Sequence, residues 1–509
     1  MARFESSMKN LAVAWGGQLV SVLLAFVARG VFAQQLSMEY MGLENLFSNV
    51  LTILSLADLG VGSAVVFSLY EPLAKNDTEK VKSLMRFFKR AYITIGIVIA
   101  AIGFGLTPFI DLLIADAPNI PNLGVYFLCF VLNTAVSYFF SYKGSLIYAD
   151  QKNYIVSLFQ YSFQIIMCIA QIAVLFLTHS YLLFLLCMIA STVLQNVGIA
   201  HKANMMFPYL KDKNVEPLDK GTLSLIVKNT FALVLHKIAG IASVPASSLI
   251  ISKFAGINAI AIYGNYMLII NSLSRILDKT FDAVTASVGN LGAQESGERQ
   301  YEVFKISFFI NAFLYTVVCS VLFCCFNPLV FLWLGQDYLF PTLTVCLLTI
   351  WLYVKGMRSA EQSFTSAYGL YWFSWYKAVV ETISLLGLSL ALVQVAGIDG
   401  VILSGVVSLL LIATTMEVWV LYKHGFKRSP KDYFIKLGIY SLLTLILTSL
   451  SYCACMLIPG SGVISLLLKG VVSLTIAMGG FCLVFRKSHE FSEFVILLHR
   501  ACSLVKRKK

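Results

Sequence analysis

Fourteen apolar stretches, each long enough to cross a lipid bilayer, follow one another along the 509 residues with only short polar segments between them. A membrane-spanning helix needs about 20 apolar residues, because each residue advances it about 1.5 Å through a hydrocarbon core about 30 Å thick. On this reading helices lie near 11–34, 43–69, 91–114, 123–147, 154–177, 181–200, 224–251, 258–282, 304–334, 342–366, 375–396, 401–422, 434–458 and 463–485. Composition agrees: 58% of the side chains are apolar and 13% charged, against roughly 45–50% and 25% in water-soluble domains. The chain is therefore expected to be an all-α polytopic membrane protein. What lies outside the helices leaves no room for an appended ATPase, kinase or glycosyltransferase module.

The basic residues set the orientation. With a cytoplasmic N-terminus, 27 of the 38 Lys and Arg fall in cytoplasmic segments and one, Lys253, on the opposite side, as the positive-inside rule demands. Both termini are expected on the cytoplasmic face of the cell membrane. Arg3 and Lys9 before an apolar run, with Val31-Phe32-Ala33 after it, resemble a signal peptide. The length of the run, with Arg29 near its end, favours an uncleaved first helix. The 11 cysteines lie nearly all in apolar runs, where thiols pack as small hydrophobes. Cys453 and Cys455 have no neighbouring His or second Cys pair, so neither a disulfide framework nor a metal site is expected. The outer loops, such as 115–122, 397–400 and 459–462, are short and almost uncharged, which argues against an external polymerase or ligase.

The chain also repeats itself. Lys9-Asn10 opens the first helix and Lys228-Asn229 the seventh, an offset of 219. Asn45-Leu46-Phe47 falls near Asn265-Tyr266-Met267 at almost the same offset, and the exit 73–79 matches 291–298 in character. This order predicts two six-helix halves of the same orientation, 1–210 and 211–425, then an extra helix pair, 426–485, and a basic amphipathic tail, 486–509. Parallel repeats of this kind are a transporter plan with a site where the halves meet.

The helix count, the two halves, the run Leu56-Ala57-Asp58-Leu59-Gly60-Val61-Gly62-Ser63-Ala64, and Leu332-Trp333-Leu334-Gly335 before Tyr338 together resemble the polysaccharide-transporter branch of the multidrug, oligosaccharidyl-lipid and polysaccharide exporter superfamily. The resemblance spreads over about the first 430 residues. It implies a flippase, not an enzyme, that carries undecaprenyl-pyrophosphate-linked oligosaccharide from the inner to the outer leaflet for surface polysaccharide assembly. Polymerase or glycosyltransferase partners would accompany it. The drug-exporter branch shares the fold with typically twelve helices, and a cation-coupled drug exporter is the alternative reading.

Ionisable groups at the bilayer centre cost at least about 2.5–3.5 kcal/mol, so those inside the helices need a reason. Helix 10 places Trp351, Lys355, Arg358 and Gln362 at i, i+4, i+7 and i+11, with Glu361 adjacent as an ion-pair partner. Helix 8 carries Arg275, Asp278 and Asp282 on one face beside Lys279, for local pairing, snorkelling or substrate. On helix 7, Lys237 adjoins His236, a packing histidine or a proton switch. Arg29 on helix 1 either snorkels or faces a cavity, and Asp58 either pairs or binds a coupling proton or sodium ion. Serines 137, 141 and 145 with Tyr148, and Ser157 with Gln160, Gln164 and Gln171, form uncharged stripes on helices 4 and 5. Such stripes serve as interhelical glue or line an aqueous, sugar-sized cavity.

Seven deep cations (Arg29, Lys143, Lys237, Arg275, Lys279, Lys355, Arg358) stand against four internal acids (Asp58, Asp278, Asp282, Glu361), a surplus suited to pyrophosphate, whose oxygens match the arginine fork. Transport is expected to need no cofactor beyond proton or sodium coupling, or the membrane potential. The basic segment 75–90 and the Lys506-Arg507-Lys508-Lys509 end are expected to meet anionic lipids, not nucleic acid. In the tail, Phe491, Phe494, Val495, Leu498, Cys502 and Val505 form an apolar helical stripe, as in a helix lying on the membrane surface.

Overall fold

The computed structural model describes residues 2–55, 61–114, 120–212, 215–218, 223, 245–294, 297–368 and 370–506, which are almost wholly helical. The chain divides into two compact units, Met1–Ala261 and Ile262–Lys509. Among the described residues, nine helices are long and apolar enough to span a membrane. The protein is a multi-pass membrane protein.

In the first unit, α1 (Ala2–Gln35), α2 (Met38–Leu54), α3 (Val61–Ala74), α4 (Thr78–Leu106), α5 (Leu123–Ala149), α6 (Asn153–Thr178) and α7 (Tyr181–Met206) are followed by α8, residues 245–255. Local chemistry sets the ends. Asp77 accepts from the Lys80 amide to cap α4, and Ser180 accepts from the Leu183 amide to cap α7. Asn122 before α5 and His179 after α6 take left-handed backbone conformations. Helix α5 is central, packed against α3, α4 and α7, while α1 lies along α6. That approach uses Gly17, where a Cβ would fall 2.1 Å from the Tyr161 ring. Leu69, Leu84, Phe88, Leu146, Ile147 and Ala203 close a core between α3, α4, α5 and α7.

The second unit contains most of α9 (Ile257–Gln294), then α10 (Gly297–Leu334), α11 (Thr342–Met357), α12 (Ser359–Ala367), α13 (Tyr371–Val407), α14 (Thr415–Val420), α15 (Lys431–Met456), α16 (Val463–Phe485) and α17 (His489–Lys506). Helix α10 packs against α11, α15 and α16. Two hydroxyl pairs join it to α15: Thr316 with Thr444 at 2.7 Å and Ser320 with Thr448 at 2.8 Å. The Leu332-Trp333-Leu334-Gly335 run ends α10, with Gly335 at φ 97°. Near that end Tyr266 of α9 donates to Asn327 of α10 and accepts from the Phe340 amide, while Asn327 donates to the Phe340 carbonyl at 3.0 Å.

Two parts of this unit depart from the sequence reading. The stretch expected as one helix over 342–366 breaks at Arg358, where Asn311 of α10 donates to the Gly356 and Met357 carbonyls at 3.0 and 2.8 Å. These carbonyls are among the unpaired acceptors of a helix C-terminus, so a side chain from a distant helix stabilises the break. The i, i+4, i+7, i+11 face therefore does not run through: Arg358 is buried and Gln362 exposed. The second departure is at the tail. Phe491 and Phe494 of α17 pack edge-on against Phe309 of α10, and Phe494 also meets Phe313. This part of the stripe faces protein.

Helix α13 is two antiparallel arms. Gly397 has φ 56° and ψ −132°, outside any helical region, a combination open in practice only to glycine. Ser408 bonds back to the Glu381 carbonyl and Lys377 reaches Glu417, partners that lie on opposite sides of Gly397. The chain reverses there, at the start of the 397–400 segment expected as a loop.

Candidate functional site

Within the first unit, α3, α5, α6 and α7 line an open cavity of about 730 Å³. None of its fifteen lining residues is charged. Ser141, Ser145 and Tyr148 come from α5, Asn153, Ser157 and Gln160 from the start of α6, Gln195 and Asn196 from α7, and Phe67 and Tyr70 from α3. The arrangement follows from helix periodicity: 141, 145 and 148 share one face of α5, and 153, 157 and 160 one face of α6. The volume lies in the range of small-ligand sites. Hydroxyls and primary amides both donate and accept hydrogen bonds, and the tyrosine and phenylalanine rings add flat apolar faces.

The uncharged stripes thus divide by height. Gln164 accepts from Ser21 of α1 at 3.1 Å, and Gln171 donates to the Phe184 carbonyl of α7 at 3.3 Å. These two are interhelical glue, whereas Ser157 and Gln160 of the same stripe line the cavity. Asn153, Gln195, Asn196 and Tyr70 escaped the sequence reading. The first three continue the polar faces by one helical turn or one neighbouring helix, a weak signal beside the serine repeat.

The second unit contains a buried ionic network. Arg358 donates to Glu417 at 2.7 Å, Lys377 donates to the same carboxylate at 3.1 Å, and Glu381 lies 3.9 Å from Arg358. Glu361, fully buried, accepts from the Tyr433 hydroxyl. The expected Arg358 or Lys355 pair with Glu361 is thus replaced: the break at Arg358 turns the guanidinium to the α13–α14 arms. Lys355 lies over the Trp351 ring at 5.1 Å. Glu417 sits on α14 between two π-helical turns, Ser408–Thr414 and Leu421–Phe426. Such turns re-aim side chains at the cost of weaker hydrogen bonding.

Solved structures share this architecture. The lipid II flippase MurJ in an inward closed conformation is similar over 94% of this chain and 99% of its own, at 14% identity and a TM-score of 0.67. An inward-facing multidrug resistance MATE family transporter of the MOP superfamily matches over 79% of this chain and 94% of its own, at 14% identity and a TM-score of 0.62. A MOP superfamily transporter from Pyrococcus furiosus aligns at 14% identity over 81% and 94% of the two chains, with a TM-score of 0.53. The chain has the MOP exporter superfamily fold. No protein-family model and no curated protein matches the sequence.

Within the MOP fold, the remaining sequence-derived residues fall as follows. Arg29 of α1 donates to Glu44 of α2 at 2.5 Å and lies over the Phe32 ring at 5.9 Å. Arg275 of α9 is exposed. Asp58, His236 and Lys237 lie outside the described residues, as do the side chains of Asp278, Lys279 and Asp282. The internal acids include Glu44, Glu381 and Glu417, which the four-acid count omitted. The signal for Glu417 was present, since it stands alone among apolar residues of helix 12, and an intramembrane carboxylate asks for a partner.

Proposed function

We propose that the protein is a flippase that moves undecaprenyl-pyrophosphate-linked oligosaccharide repeat units from the inner to the outer leaflet of the cell membrane by alternating access. The observation that carries this reading is the uncharged cavity of the first unit, with its hydroxyls, amides and exposed aromatic faces. A glycan presents hydroxyls that both donate and accept, and ring faces of C–H groups that pack on aromatic planes. A cavity of amides, hydroxyls and tyrosines satisfies both without a charge that would stay desolvated when the sugar leaves. An exporter of organic cations would call for a carboxylate in the lining, and none is present among the described residues.

In this mechanism the glycan occupies the cavity of the first unit and the lipid tail stays in the bilayer. The inside-negative membrane potential favours outward movement of an anion by about 2.3 kcal/mol per charge per 100 mV, so a coupling ion is an addition to the driving force. The fold of neighbours that include a lipid II flippase supports the same reading. The test is reconstitution in vesicles with a fluorescent undecaprenyl-pyrophosphate oligosaccharide and a quencher on one side. Wild type is expected to exchange the lipid between leaflets, and Tyr148→Ala with Gln160→Leu to slow it at least tenfold without a change in Tm. Exchange of an organic cation, with none of the lipid-linked sugar, would overturn the proposal.

A further inference from the structure

The cations along α4 divide into two groups. Lys82 pairs with Glu79 at 2.7 Å and with Asp212 at 3.0 Å, and Arg86 donates to the Val215 carbonyl at 3.0 Å. This group fastens the linker after α7 to the start of α4. Two turns beyond Lys82, about 10 Å along the helix axis, Lys89 is exposed and has no carboxylate partner among the described residues. The α4–α5 register, set by Tyr92 against Tyr138 at 6.1 Å between ring centroids and by Gly96 close against Phe139, places Lys89 across from Lys143. Lys143 is partly buried, and its Nζ donates to the Asn204 side-chain oxygen of α7 at 3.0 Å. A neutral amide, not an acid, holds it in place.

Two lysines brought together without an acid repel one another, and the fold pins one of them with an amide that leaves its charge intact. The arrangement presents positive charge of the kind an anion pairs with. Its position narrows the chemistry further. Both lysines lie on apolar membrane helices a few turns from their polar ends, the depth at which snorkelling ammonium groups meet phosphate headgroups.

We propose that Lys89, Lys143 and Asn204, at the rim of α4, α5 and α7, form a binding site for the phosphate headgroup of a membrane lipid. Two lipids carry that chemistry, a bulk anionic phospholipid and the phosphate of a polyprenyl carrier. The site uses none of the cavity's lining residues and does not depend on the glycan reading.

The experiment is lipid titration of the purified full-length chain, read by native mass spectrometry and by the lipid-induced rise in Tm. The probes are phosphatidylglycerol, undecaprenyl phosphate and zwitterionic phosphatidylcholine. Each lysine near the headgroup is expected to contribute roughly fivefold in affinity, so Lys89→Gln with Lys143→Gln should weaken binding of the anionic probe about thirtyfold. Lys75→Gln removes the same charge from an exposed pair with Glu71 and should leave affinity within twofold. Tighter binding of phosphatidylglycerol identifies bulk lipid as the occupant, and tighter binding of undecaprenyl phosphate identifies the carrier. Equal binding of phosphatidylcholine, wild-type affinity in the double variant, or an equal loss in Lys75→Gln would each overturn the site. Lys89→Gln alone changes an exposed side chain and keeps the test decisive if the double variant does not fold.

Discussion

Replacing Glu417 by glutamine removes the only carboxylate that, among the described residues, lies within 3.5 Å of both Arg358 and Lys377, and the cost can be worked from the geometry. The three side chains are 7%, 6% and 14% exposed, so little water can take the place of the lost charge. Removing one partner of a buried ion pair costs about 3–5 kcal/mol. Glu381 remains 3.9 Å from Arg358 and the glutamine oxygen still accepts one bond, which places the loss near the lower end, about 3 kcal/mol. If the residues of the second unit unfold together at ~2 cal/mol/K each, their entropy of about 0.5 kcal/mol/K converts this to a fall in Tm of about 6 °C. Glu361→Gln provides the contrast. Glutamine still offers an oxygen to the Tyr433 hydroxyl and leaves no cation unpaired, so its expected shift is below about 1 kcal/mol, or about 2 °C. Detergent-solubilised variants heated at one fixed scan rate would separate the two. A Glu417→Gln Tm within 1 °C of wild type, or a larger loss in Glu361→Gln, would refute the assignment of Glu417 as the shared acid.

Three further outcomes follow from the same structure. Gly397→Ala forces a Cβ into a backbone conformation that costs of order 1–3 kcal/mol, and should lower Tm measurably while Gly438→Ala, in open space within α15, does not. Thr316→Val alone should cost about 0.6 kcal/mol, an average intramembrane side-chain bond, and adding Thr444→Val should cost little more, as a double-mutant cycle in thermal unfolding would show. Burial pushes the Glu490 carboxyl up, but its hydrogen bond and charge interaction with Lys436 outweigh that and hold it below the ordinary carboxylate range. Its contribution to docking α17 is therefore complete above about pH 4.3, the unfolded value, and is lost as pH falls through the lowered folded value. Hydrogen exchange in α17 should rise at acid pH in wild type, and Glu490→Gln should abolish that pH dependence.

Much of this architecture is written in hydropathy, because lipid permits only structures that satisfy their own backbone. The starts of α5 and α16, at Leu123 and Val463, lie where the apolar runs begin. The local serine and glutamine stripes led to the cavity, since 141, 145 and 148 share a face in any α-helix. What the pattern could not reveal depends on side chains distant in sequence. Asn311 reaches 45 residues to break the helix at Arg358, and Arg358 then reaches 59 residues to Glu417. Periodicity places a residue on a face but does not choose its partner, so the acid adjacent in sequence, Glu361, was paired on paper with a cation that bonds elsewhere. For the same reason the surplus of cations looked larger from sequence than it is around Arg29 and Arg358.

The cavity's lack of charge has a consequence for how an amphiphilic cargo would respond to its medium. Salt screens interactions between charges, over about 8 Å at physiological ionic strength, and an uncharged lining offers it nothing to screen. Whatever the cavity holds should be held equally at low and high salt, while contacts made through lysines and arginines weaken. Ionic strength alone therefore separates binding by the cavity from binding through lysines and arginines.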